Sequence, residues 1–440
     1  MGTHYLTLPS GGGALFMLYS IIAIKRSCFC NSETDSDGGA LRAVSCKARI
    51  TDSRFKNNTA YNEGGVIHML GIVDVSKSEF HSNTAKEGGA LLIHPQNSAN
   101  ITLSVFVGNV ASNEGGAVST YLGSTVNIEK SEFSSNAAED GGALHVMLTA
   151  TVNISNSVFG SNEAFGDGGA IETWSTIKMD IVNSTFYSNT ADRGGAITTQ
   201  SAELMTLNNC DFRENAANNG IIVSSRSQMV ASESLTFSYN VGSLFLYGSN
   251  LSIIEGSLVT VANNSSPHKL DSMNIVGNLQ EGGFITAFQS NITLNGTYII
   301  MGNNVENGGA IHATQSKVFV YGDVKVANNT AEHTGGGFYL FQSELNCMLS
   351  SSLEIIDNSA TEKGGGIHAI SSILQIDVES LVRVIINYAK LGGGICLEIN
   401  AKVYILKQYN NYALKALPLN FFANSADYGG AVYILSLIHI

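Results

Sequence analysis

The chain has 440 residues, of which 44% are hydrophobic and only 13% charged, with 46 Gly and 4 Pro. That balance excludes a collagen and a disordered tail. A formal net charge of −13 argues against nucleic acid and anionic membrane surfaces as partners, since both repel an acidic protein.

The first apolar run, Ala14 to Ile24, is shorter than the roughly 18 residues a membrane helix needs. It is not read as a signal-peptide core either. Gly12-Gly13-Ala14-Leu15 recurs 26 residues later as Gly38-Gly39-Ala40-Leu41, and no charged region precedes it. The run is the first strand of a repeat.

That repeat organises the chain. At one place in the repeat FxxN recurs nine times, beginning at Phe55, Phe80, Phe106, Phe133, Phe159, Phe186, Phe212, Phe237 and Phe421. GGA followed by Ile, Leu or Val also occurs nine times, beginning at Gly12, Gly38, Gly88, Gly115, Gly141, Gly168, Gly194, Gly308 and Gly429. Successive Gly pairs from Gly12 to Gly194 are 24 to 27 residues apart. A period near 26 is short for paired helices and suits one turn of a solenoid of short strands. Residues 124–133 and 151–159 alternate apolar and polar side chains and are rich in Val, Ile, Thr and Ser, as strands are.

Each part of the motif has a physical role. Phe points inward and stacks on the Phe of the next turn, about 4.8 Å away. Asn58, Asn83, Asn109, Asn136, Asn162, Asn189 and Asn215 form a structural ladder at one corner, bonding backbone of their own and neighbouring turns. The Gly pair takes a bend where a Cβ would clash or φ is positive. The expected fold is an all-β, right-handed parallel β-helix of about fifteen turns, on the order of 70 Å long; the hand is expected from strand twist.

Residues 1–440 read as a single domain with three stretches. Residues 1–220 are regular. Residues 221–281 are degenerate: Val241-Gly242-Ser243-Leu244 stands where a Gly pair belongs, and Asn263 to Asp271 reads as an inserted loop. Residues 282–440 resume the repeat, with Ile300, Val326, Ile355 and Val384 in place of Phe and a second insertion over Lys407 to Pro418. The chain starts and stops inside a turn, so a fragment lacking both native ends is expected, self-associating through its open strand edges.

Two columns of side chains bear on chemistry. Asp37, Glu63, Glu87, Glu114, Asp140 and Asp167 immediately precede the Gly pair on six successive turns, and Arg193 ends the run. Stacked in register, neighbouring carboxylates repel by roughly 0.9 kcal/mol in water before screening. The column reads first as a solvated edge whose side chains splay apart and keep the protein soluble, and second as a cation-binding edge for calcium, a hard cation that takes carboxylate oxygens. On that second reading, calcium stabilises the fold. The other column, His68, His145, His312 and His368, follows the aliphatic residue; alternation points it outward, as exposed structural histidines. The six cysteines, at 28, 30, 46, 210, 347 and 396, show no zinc spacing and read as buried free thiols, with a disulfide of Cys46 to Cys28 or Cys30 as the alternative.

Polysaccharide lyases and hydrolases use this kind of fold and need acid–base groups converging from neighbouring turns. Only 23 Lys and Arg are present, no GxSxG, P-loop or HExxH occurs, and the turns are regular. A non-enzymatic role is therefore expected, with no catalytic residues and no organic cofactor.

Together, FxxN and GGA[ILV] at fixed mutual spacing resemble the repeats of chlamydial-type polymorphic outer membrane proteins, over essentially the whole chain. The resemblance implies a pectin-lyase-like β-helix exported to the cell surface as an adhesin and surface antigen, in a bacterial outer membrane when it is an autotransporter passenger. Its implied partner is a host-cell or matrix surface protein or glycan. The alternatives are a carbohydrate-active β-helix and a repeat spacer without a ligand.

Overall fold

The computed structural model describes residues 13–94, 97–148, 151–265, 283–348, 350–406 and 419–435. Among these, every regular element is a β-strand, and every registered pairing is parallel. The chain is a right-handed parallel β-helix with about 14 turns of about 26 residues. Two compact units divide it, Met1–Thr199 and Gln200–Ile440.

One turn of the first unit shows the plan. After Gly88 and Gly89 come the strands Leu91–Ile93, Ser98–Thr102, Val105–Val107 and Val110–Glu114, and Gly115 opens the next turn. Each strand pairs with its equivalent one turn on: Leu91 with Val118, Ala99 with Val126, Phe106 with Phe133, Val110 with Ala137.

Inside, the expected phenylalanine stack is present. From Phe55 to Phe186, neighbouring rings lie 4.5–5.1 Å apart and within 11° of parallel. Phe29 extends it at 5.3 Å, although Ser32 stands three residues on where Asn would. In the second unit Phe237 is followed by Val261, Ile300, Val326, Ile355 and Val384 in register, so aliphatic side chains take over the same interior position.

The asparagines bind mainly from turn to turn; Asn264 Nδ2 also donates to Ala262 O in its own turn (3.2 Å). Asn83 Nδ2 donates to Phe55 O one turn back (3.2 Å) and to Asn109 Oδ1 one turn on (2.8 Å). Its backbone N–H donates to that same Oδ1 (3.1 Å). The pattern repeats at Asn109, Asn136 and Asn162, all fully buried. In the second unit it runs from Asn215 through Asn240, Asn264, Asn303, Asn329, Asn358 and Asn387 to Asn424. Asn264 therefore belongs to the ladder, and the loop expected from Asn263 begins later; its residues 266–271, like the insertion over 407–418, lie outside the described residues.

A second ladder was not expected. Ser53, Ser78, Ser104, Ser131 and Ser157 each donate a backbone N–H to the Oγ of the next turn's serine at 3.1–3.2 Å. Each serine precedes the stacked Phe by two residues, so the full motif is SxFxxN.

The two glycines of a pair serve different needs. Gly64 has φ +63°, and a Cβ there would meet Ile67 O at 2.3 Å. Gly65 needs no unusual φ, but a Cβ on it would sit 2.0 Å from Gly89 O in the next turn.

The cysteines differ in part from expectation. Cys46, Cys210, Cys347 and Cys396 are buried free thiols. The disulfide joins Cys28 to Cys30, not to Cys46. Phe29 points inward to the stack, which leaves its two flanking cysteines side by side on the outer face, while Cys46 faces inward.

Replacing Asn136 with Ala strands the Asn109 backbone N–H and the Phe106 carbonyl without water. The expected loss is about 2–4 kcal/mol in urea denaturation, against under about 1 kcal/mol for Asn127→Ala on the outer face.

Candidate functional site

The Gly pair turns the chain through a corner, and the acidic column lies at its mouth. Register places Glu63 beside Glu87, Glu87 beside Glu114 and Glu114 beside Asp140. Gly38 N–H bonds Glu63 O and Gly141 N–H bonds Asp167 O, each at 2.8 Å, which carries the alignment from Asp37 to Asp167. Asp167 pairs with Arg193 at the end of the run.

The strand beyond the corner supplies the facing column: Arg42, His68, Leu92, Ser119, His145 and Glu172, each in register with the next. Here the outward direction was right and the exposure was not. His68, His145, His312 and His368 are all buried, at 1–2% exposure. In the first unit the acids fold back across the corner onto this column, and in the second His312 lies against Phe288 and Tyr339 and His368 against Tyr339 and Glu398, so an outward side chain there lies in a cleft rather than in solvent.

The acids do not splay. Asp37 meets Arg42 at 3.1 Å, Glu63 meets His68 at 2.9 Å and His94 at 3.2 Å, and Glu114 meets His145 Nδ1 at 3.2 Å. Tyr121 OH donates to Glu87 and, at 3.1 Å, to Glu114. Asp140 Oδ1 accepts the Asp167 N–H at 2.8 Å, and Asp167 is bound by the Arg193 guanidinium.

These surroundings push the ionisable groups apart. Hydrogen bonds from His68 and His94 hold the Glu63 carboxyl far below the usual carboxylate range. Burial raises Glu114 and Asp167. Glu172 is pushed up to about 8, first by burial and then by Asp140, Asp167 and Glu114. Burial drops His145 to about 4. At pH 7, then, Glu172 keeps its proton and His145 is neutral, and their 3.5 Å approach is not an ion pair.

Two clusters in the described residues have donor sets that fit a metal ion. One is Glu63, His68 and His94. The other, in the second unit, is His368, Cys396 and Glu398; there Lys363 Nζ already sits 2.8 Å from the Glu398 carboxylate, and burial raises the Cys396 thiol to about 12. His94 and Tyr121 escaped the sequence reading. His94 and Tyr121 stand two places beyond the histidine column, and Glu172 stands in that column without being a histidine.

An apolar strip borders the cleft. Leu122, Leu148, Trp174 and Ile177 are exposed, and Leu148 N–H bonds Trp174 O across adjacent turns.

No family model and no solved structure matches the chain. Over 128 residues, 29% of the chain, it is 33% identical to Metabotropic glutamate receptor-like protein R of Dictyostelium discoideum. That stretch is 8% of the relative's length.

The protonation of Glu172 sets a pH dependence. The unfolded chain loses this proton near 4.5 and the folded chain near 8, so Glu172 lowers stability as pH rises between them. His145 acts oppositely from about 4 to 6.5, where the unfolded chain takes up a proton that the folded chain refuses. The two offset each other up to pH 6.5. Above it, stability should fall by about 1–2 kcal/mol towards pH 8. Glu172→Gln should abolish that alkaline decline in thermal melts; parallel declines in both proteins would refute the assignment.

Proposed function

We propose that this chain is a non-enzymatic recognition scaffold, an adhesion or display protein of the cell surface, and that the acidic cleft of the first unit is its recognition face. The observation that carries the reading is the state of the cleft's charges. Asp37, Glu63, Glu87, Glu114 and Asp167 are each bonded to an Arg, His or Tyr side chain on a rigid strand lattice. Such a surface presents fixed charge without rearrangement, which suits binding more directly than turnover. Next to it, Trp174 and its apolar neighbours supply an anchor of the kind that dominates protein interfaces. The fitting partner is a basic protein surface with an apolar centre, on a host cell or in a matrix. The FxxN and GGA[ILV] repeat, through its resemblance to polymorphic outer membrane proteins, and the similarity to a receptor-like protein both support a surface setting.

A second reading has its own observation. Glu172, protonated at neutral pH, is influenced by Asp167 of its own turn and by Asp140 and Glu114 of the two turns before it, and Trp174 is exposed two residues further along. A proton-holding carboxyl beside other carboxyls is the arrangement glycoside hydrolysis uses.

One set of assays separates the two. Binding to immobilised cell-surface and matrix proteins should weaken at high salt and fall about tenfold or more in Trp174→Ala. Incubation with acidic and neutral polysaccharides should release no reducing ends. Release that disappears in Glu172→Gln would replace the scaffold reading with the hydrolase.

A further inference from the structure

We infer that Glu63, His68 and His94 form a binding site for a single divalent transition-metal ion, zinc above all. The three residues come from three different places in the turn. Glu63 stands before the Gly pair, His68 on the strand after it, and His94 at the end of the equivalent strand one turn on. His94 N–H bonds Met69 O at 2.9 Å, which seats it diagonally from His68, within reach of a long side chain.

Their donor atoms converge on one point. His68 Nε2 lies 2.9 Å and His94 Nε2 3.2 Å from the same Glu63 oxygen, and the two ring nitrogens are 2.6 Å apart. The rings meet at 82°, so each aims its nitrogen inward rather than stacking. Two imidazole lone pairs at that separation repel unless a proton or a metal ion lies between them. A proton can do so for one pair of atoms. A metal ion does so for all three at once, because two imidazoles and a carboxylate make a recognised donor set.

Tetrahedral zinc, with bonds of 2.0–2.2 Å, needs ligand atoms about 3.3 Å apart. The nitrogens must therefore separate by less than about 1 Å, which side-chain rotation supplies. His68 is buried, while Glu63 and His94 are about 30% exposed, so the fourth position opens towards solvent. The rigid lattice fixes the backbone of all three residues before a metal arrives. One feature opposes tight binding: His68 Nδ1 is buried without a hydrogen-bond partner, so nothing beyond the first ligands supports that ring.

The cluster in the second unit is the natural competitor, and it differs in chemistry. A metal there would have to displace Lys363 from Glu398 and deprotonate the Cys396 thiol.

The test is titration of the whole chain, stripped of metal with a chelator, using zinc against an indicator dye and cobalt(II) for spectroscopy. One equivalent of zinc should bind. Cobalt should give a visible ligand-field spectrum without a thiolate-to-metal charge-transfer band. His94→Gln and Glu63→Gln should each weaken zinc at least about 100-fold, the upper end of what supporting residues cost, with far-UV circular dichroism unchanged in chelator. Three results would overturn the site: no binding by the wild type, equal binding by both folded variants, or a thiolate band, which would place the metal on Cys396.

Discussion

A buried side-chain amide, repeated once per turn, holds this molecule together. Parallel strands in a solenoid can slide along one another with little change in hydrophobic contact, since any inward aliphatic packs on any other. The asparagine ladder removes that freedom. Each Asn side chain spans three turns, and a slip of one residue would leave a buried N–H, a buried carbonyl and a buried carboxamide unpaired together. The serine ladder repeats the constraint five residues earlier, at the other end of the short Phe-bearing strand. The phenylalanine stack supplies apolar burial, yet the second unit continues through Val and Ile at that position. Through the second unit the stack gives way to aliphatic side chains while the ladder persists.

Register is also what gives the surface its chemistry. A strand lattice locked in step aligns whatever residue follows a given place in the motif, with like charges stacked on like. That alignment would be unfavourable in isolation. It is tolerated because the corner is concave, so carboxylates reach donors across it, Arg42 for Asp37, His68 and His94 for Glu63 and Tyr121 for Glu87 and Glu114, while Asp167 binds Arg193, which ends its own column. Glu172 stands in the facing column itself, buried beside neutral His145 and among acids that outweigh Arg193, so it gives up its charge instead.

The fold was legible in the sequence because its signals are identical residues one turn apart. Phe, Asn and the Gly pair each recur at one fixed place in the turn, and the structure puts them where the spacing predicts. The serine ladder was equally visible as SxF and was passed over, because Ser is common in strand-rich chains and its backbone role is invisible without the corner. The histidine column failed differently. Alternation tells which way a side chain points from its own strand, but not whether another part of the turn overhangs it, and here the acidic column does. His94 could not be paired with His68 from spacing alone: the two occupy different columns, and their meeting depends on a diagonal reach across one turn.

The most direct test is site-resolved hydrogen exchange on the backbone amides of Asn83, Asn109 and Asn136, whose acceptors are the side-chain oxygens of Asn109, Asn136 and Asn162. If the ladder sets the register, these amides exchange as slowly as those in the adjoining strands, through unfolding of the whole unit. Rapid exchange at these three positions, with the flanking strands still protected, would show that the turns keep their register without it and would contradict the account.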